Sequence, residues 1–242
     1  LNEGEKMSFT EEKREWIKKY MLEKIRQDDG AYAQKTMENF EVSITTVKRY
    51  LKECVEQKII VPNADKECGY CLINVEEEWE VDNVDLEEDT FYFDKVFPLL
   101  NDLSENSRKI WYYAFTEMMN NAIEHAKAKR ICCKVKKDVL YTEISIADDG
   151  IGIFNSIRQY ADQQLHIKMD TAQARMELYK GKFTTSPESH SGEGIFFTSK
   201  MLAQFALWSE DVMYSNRCDD EAKFVRSHLI AYYTKLNRCL LY

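Results

Sequence analysis

Three short segments hold residues whose types and spacing suit chemistry: FTEMMNNAIEHA (Phe115–Ala126), ADDGIGI (Ala147–Ile153) and HSGEGIFF (His190–Phe197). In the first, Glu117, Asn121 and His125 stand at i, i+4 and i+8, which lines a carboxylate, an amide and an imidazole along one helix face. Such groups need partners when buried, and a cleft filled by phosphates, water and a metal ion would supply them. The alternative is an ordinary polar helix flank. In the second segment Asp148 ends a strand, and Gly150 and Gly152 follow. Glycines there let the backbone turn tightly and approach a ligand, and a strand-end carboxylate accepts a hydrogen bond from an exocyclic amine such as adenine N6. In the third, Gly192 and Gly194 place free backbone N–H groups at the start of an apolar helix, an arrangement that binds phosphate. One Gly-x-Gly pair says little. Three boxes in this order, with four of the chain's eight glycines in the two turns, read as a nucleotide site.

Particular elements must position these groups. A strongly apolar helix from Ser107 carries the first box, through Ile110, Tyr113, Ala114, Met118, Asn121 and Ala122. Strand-like Ile131–Lys136 and Leu140–Ala147, joined by the polar break Lys137–Asp138, deliver Asp148. Asn155–Ser191 is polar with little ordered pattern. A helix over Ile195–Phe205 and a strand over Ala206–Tyr214 follow the third box.

Upstream, Glu11–Gln27 carries Trp16, Ile17, Tyr20, Met21 and Ile25 near an i, i+4 stripe, which predicts an amphipathic helix. Ser8 with Glu11 fits a capping box, and Asp28–Asp29–Gly30 supplies a stop. A short helix, Tyr32–Asn39, comes next. A longer one starts at Ser43, with Val47, Tyr50, Leu51 and Val55 on its buried side. Lys58–Val61 and Tyr70–Asn74, around a Pro62–Asp65 turn, read as a β-hairpin.

The 242 residues suffice for two modest domains. Their net charge of −9 is not spread evenly. Val75–Asn106 holds twelve acids against one lysine, leaving the remainder near +2. The acidity therefore belongs to the stretch VEEEWEVDNVDLEED, which we read as a linker over residues 75–93 between domains 1–74 and 94–242, and it does not exclude a nucleic-acid face elsewhere. No apolar run approaches a membrane span. The charged start LNEGEKMSFTEEKREW lacks a signal-peptide core, and seven scattered cysteines fit reduced thiols. These features predict a cytoplasmic protein with no membrane partner.

The three boxes resemble those of the GHKL superfamily of ATPases, which includes type II topoisomerases, the heat-shock chaperone ATPase, sensor histidine kinases, mismatch-repair ATPases and the anti-sigma serine kinases. The resemblance covers about Asp94–Tyr214. It implies an α+β chain whose second domain is a Bergerat-type sandwich, a mixed sheet with helices on one face. By the same resemblance ATP and Mg²⁺ are the cofactors. Glu117 is then the general base that orients the attacking water or hydroxyl, and Asn121 is the Mg²⁺ ligand. Asp148 reads adenine, Gly150 and Gly152 shape its pocket, and Gly192 and Gly194 cradle phosphate. Asn120 and His125 flank the site. Lys180–Ser191 stands where that family keeps its ATP lid, with Lys182 and Thr184 offered to phosphate. The chain departs from the pattern in two ways. No glycine follows Gly194, and Arg226–Tyr242 gives no clear strand to complete the pocket. His166 and His228 lack the context of a phosphoacceptor helix, which argues against a self-phosphorylating kinase.

Residues 10–74 resemble a winged helix-turn-helix domain, in which the third helix enters the major groove. Its exposed face here offers Thr45, Thr46, Lys48, Arg49 and Lys52 to bases and phosphates. The alternative is a solvated surface helix, or a winged fold used for protein contacts. The whole chain is thus similar to bacterial histidine-kinase-like ATPases with an N-terminal DNA-binding module. That likeness implies a nucleotide-responsive transcriptional regulator acting on double-stranded DNA, with pairing into a homodimer a possibility. The alternative is a protein serine/threonine kinase of the anti-sigma type, acting on a partner protein. Cys68 and Cys71 have zinc-ligand spacing, but no second pair accompanies them, and they read as reduced thiols.

Overall fold

The structure is a computed structural model that describes residues 3–180, 193–209, 212–216 and 237–241. The chain is of the α+β class and divides into two compact units. Residues 1–75 and 137–142 form the first, and residues 76–136 and 143–242 the second.

In the first unit, helix α1 (Glu3–Arg26) precedes α2 (Tyr32–Phe40), α3 (Ile44–Glu56) and a two-stranded antiparallel hairpin, β1 (Ile60–Pro62) and β2 (Tyr70–Leu72). Ile17, Met21 and Ile25, at i, i+4 and i+8 of α1, meet Val47, Tyr50 and Cys54 of α3 in one core. Trp16 is not in that stripe: it is 66% exposed, one position off the buried face. Leu51 and Val55 are half-buried rather than buried. Ser8 lies inside α1 and is not its start. Asp28 (φ 57°) takes the left-handed turn after α1, and Asp29 Oδ1 accepts the Ala31 N–H at 3.0 Å. Ser43 caps α3 by accepting the Thr46 N–H at 3.2 Å, an interaction worth about 1 kcal/mol. Arg26 Nε donates to Asp138 Oδ2 at 3.2 Å within this unit.

The second unit is built on a six-stranded sheet. In sequence order its strands are β3 (Val75–Asp82), β4 (Arg130–Lys137), β5 (Thr142–Asp148), β6 (Phe205–Ser209), β7 (Val212–Ser215) and β8 (Asn237–Leu241), and in space they run β3-β4-β5-β8-β6-β7. The pairings β5–β8, β8–β6 and β6–β7 are antiparallel, where the resemblance implies a sheet of mixed sense. Only two residues separate β6 from β7 in sequence, which permits no other sense for that pair. Helices α4 (Glu88–Phe91), α5 (Glu105–Asn120), α6 (Ile153–Gln164), α7 (Thr171–Lys180) and α8 (Gly194–Met201) complete the unit. Trp111, Ala114, Phe115 and Met118 of α5 share a core with Ile131, Cys133 and Val135 of β4. The intervening Lys134 and Lys136 lie on the other face of the sheet, where they pair with acids of β3.

The first part of the acidic stretch, Val75–Asp82, is therefore an edge strand and not a linker. Lys134 Nζ stands 2.5 Å from Glu76 Oε1 and 3.4 Å from Glu78 Oε2, and Arg130 pairs with Glu80 at 2.9 Å. Glu76 is held below the usual carboxylate range by its bond to Lys134. Three further expectations are corrected. The polar region after Ile153 contains α6 and α7. The helix after the third box ends at Met201, and Phe205 already belongs to β6. Finally, Asn237–Leu241 supplies a strand inserted between β5 and β6, where its sequence alone gives no clear strand signal.

Candidate functional site

Helix α5 starts at Ser104, whose hydroxyl accepts the Ser107 N–H at 3.2 Å. Its last residues change pitch. Over Asn121–His125 the chain winds as a π-helical turn, and the Ala126 N–H reaches back five residues to the Asn121 carbonyl at 3.0 Å. Such turns occur often at functional sites. Glu117 and Asn121 keep α-helical spacing, and the Asn121 amide donates to the Glu117 carbonyl at 2.7 Å. That bond fixes the amide, whose Oδ1 is a hard oxygen ligand.

The loop after β5 folds onto the end of this turn. Ala126 O accepts the Ile151 N–H at 2.8 Å. Asp149 Oδ1 accepts the Lys129 and Arg130 N–H groups at 2.7 and 3.0 Å, and these backbone bonds, Arg130 first, hold its carboxyl below the usual carboxylate range. Asp148 Oδ1 accepts the Gly150 N–H at 2.9 Å, which orients the carboxylate. Gly150 is forced by close approach, since a side-chain carbon there would collide with the Ala126 carbonyl. Gly152 has φ 82° and ψ 153°, a conformation that an L side chain strongly resists.

Met118, Asn121, Ala122, His125 and Ala126 form one wall of a cleft whose empty volume is about 490 Å³, including its open mouth. Ile146, Asp148, Gly152 and Ile153 form a second side, and Leu207, Trp208 and Ser209 of β6 a third. Beside it, Glu117 meets the start of α8. A carbon built on Gly194 would overlap Glu117 Oε2. Burial raises the Tyr113 phenol above its ordinary range, and the Glu117 and Glu193 carboxylates add to this. Two acids thus stand near the N-terminus of α8, where a helix favours negative charge.

Of the residues expected at a nucleotide site, Asn121, His125, Asp148 and Gly152 line the cleft, and Glu117 with Gly194 adjoins it through α5. Asn120 is half-buried and does not line the cleft, and Gly150 acts by docking the loop. Lys182, Thr184 and Gly192 lie outside the described residues. Sequence reading missed the apolar floor (Ile146, Leu207) and Trp208. The Trp208 indole N–H is buried with no hydrogen-bond partner among the described residues. The apolar run FALWS carries a buried-strand signal but nothing that marks a ligand.

In the first unit, Thr45, Lys48, Arg49 and Lys52 are exposed on α3. Thr46 is half-buried, its hydroxyl 3.1 Å from that of Ser43 within the cap. Arg49 lies 5.0 Å over the Tyr50 ring, and Lys52 pairs loosely with Glu56 at 3.6 Å. The Cys68 thiol donates to the Tyr70 carbonyl at 3.1 Å.

No protein-family profile matches the chain, and no curated protein is similar to it in sequence. Among the described residues no helix is long and apolar enough to cross a membrane.

Proposed function

We propose that the second unit is a GHKL-type domain of the Bergerat fold that binds ATP with Mg²⁺ in this cleft. We further propose that the first unit is a winged helix-turn-helix module for double-stranded DNA, and that the chain is a nucleotide-responsive regulator. One observation carries the reading: three boxes far apart in sequence converge, with Asn121, His125, Asp148 and Gly152 around one cleft and Glu117 against Gly194.

The residues fit such a ligand. Asp148 offers an acceptor to an exocyclic amine, and the unpartnered Trp208 N–H offers a donor to a ring nitrogen. Among the described residues no three His, Cys, Asp or Glu side chains could hold a metal together. Mg²⁺ commonly binds through one or two protein oxygens and the substrate phosphates, and Asn121 Oδ1 is suited to that part. When bound, the ion offsets phosphate charge. Glu117 sits where it can orient a water and take its proton.

Calorimetric titration of the full chain with a non-hydrolysable ATP analogue and Mg²⁺ tests the site. We expect binding by the wild type and at least a tenfold loss in Asp148→Asn, a change of about 1.4 kcal/mol or more. A silent wild type overturns the nucleotide reading. Operator binding that stays the same across apo, ADP and ATP-analogue states overturns the regulatory one.

A further inference from the structure

The first unit contains a cleft that the nucleotide reading does not use. It lies between α2, α3 and the β1–β2 hairpin, with an empty volume of about 990 Å³ including its open mouth. Ala33, Val47, Leu51, Val55 and Pro62 make its lining apolar, and Ile44 beside them is 41% exposed. Helix α3 does not need such a hollow to hold phosphates, because phosphate contacts are made by polar and cationic groups on a convex face.

The polar groups of the cleft are of two kinds. Lys48 and Lys52, one turn apart on α3, line it and supply two cationic side chains. Lys52 reaches only the exposed Glu56, at 3.6 Å, and Lys48 has no ion-pair partner among the described residues. Tyr32 and Tyr70 add two phenols whose hydroxyls have no hydrogen-bond partner among the described residues. An apolar lining with a few convergent polar groups is the usual make-up of a small-molecule site. Two cations on one side select an anion, and the apolar walls select a hydrophobic body.

We propose that this cleft binds a hydrophobic monocarboxylate, its apolar body against Val47, Leu51 and Val55 and its carboxylate held by Lys48 and Lys52. Nothing in this requires α3 to meet a duplex, or the second unit to bind ATP.

The test uses the full chain with 2-naphthoate as the anionic probe and 2-naphthamide as its neutral counterpart, followed by fluorescence titration. We expect naphthoate to bind with Kd below about 1 mM and naphthamide at least about tenfold more weakly, the step that one charge-assisted contact supplies. The double variant Lys48→Gln/Lys52→Gln should bring naphthoate down to the level of the amide. Both positions are exposed, so this variant keeps the fold. Ala33→Leu should abolish binding of both probes by filling the lining, with thermal melting as its control. Equal binding of acid and amide, naphthoate affinity unchanged in the double lysine variant, or no binding by the wild type overturns the proposal. So does a cleft whose side-chain resonances respond to duplex DNA and not to naphthoate.

Discussion

Glu117 and Gly194 compete for one position: a Cβ built on Gly194 overlaps Glu117 Oε2. The pair ties the first sequence box to the third, and it means that the glycine leaves room for a carboxylate as well as for a ligand. The colliding atom is the far end of a flexible side chain. A Gly194→Ala protein should therefore fold with stability close to wild type, because the carboxylate can swing away. On the proposed function, its ATP hydrolysis should fall at least about tenfold, since a misplaced general base loses rate steeply. Steady-state turnover beside a thermal melt checks both halves, and unchanged turnover would remove Glu117 from the proposed role.

Gly150 differs in kind. Its missing side chain faces the Ala126 carbonyl, which is backbone and already accepts the Ile151 N–H. Gly150→Ala should destabilise the second unit by about 1–3 kcal/mol, the range for overpacking. Urea unfolding gives the figure, and a midpoint equal to wild type would contradict the packing described.

A buried donor without a partner costs about 1–3 kcal/mol. Trp208→Phe removes that N–H and keeps an aromatic ring in β6. The ligand-free protein should be no less stable than wild type. Nucleotide affinity should fall, because the proposed donor to the base is gone. Affinity equal to wild type in calorimetry would show that the indole N–H serves no ligand.

Burial pushes the Tyr92 phenol up to about 12, against about 10 in an unfolded chain. Its folded value is raised, so its contribution to stability is complete below about pH 10 and is lost as pH rises toward 12. Tyr92→Phe should flatten the fall in stability over that window while leaving neutral-pH stability little changed, because the hydroxyl's bond to the Arg108 carbonyl is long, at 3.5 Å. Denaturant midpoints at neutral pH and near pH 11 measure this.

Local signals in the sequence were the ones that could be read. Ser43 and its following apolar stripe marked α3, and Lys58–Asn74 marked the hairpin, because caps, periodicity and turn chemistry act over a few residues. The spacing of Asn121 and His125 was legible, and both line the cleft with Glu117 beside it, although the π-helical turn at Asn121–His125 leaves no mark in composition. The acids of β3 resembled a linker because their partners, Arg130, Lys134 and Lys136, lie some fifty residues away. Helix α6 was hidden in a polar region because its buried residues are only Phe154, Ile157 and Ala161, too few to stand out beside the glycine turn. Strand β8 was invisible for a similar reason. NRCLL has weak alternation, and its place is set by pairing with β5 and β6 rather than by its own residues.

That last strand has a consequence for how the chain is made. Leu241 pairs with both Ile144 and Phe205, so the two halves of the sheet cannot join until synthesis has passed residue 241. A nascent chain that has produced β4–β5 and β6–β7 holds two unpaired strand edges, each a template for pairing with another chain. During translation those two edges stay open until the strand that pairs with both has emerged.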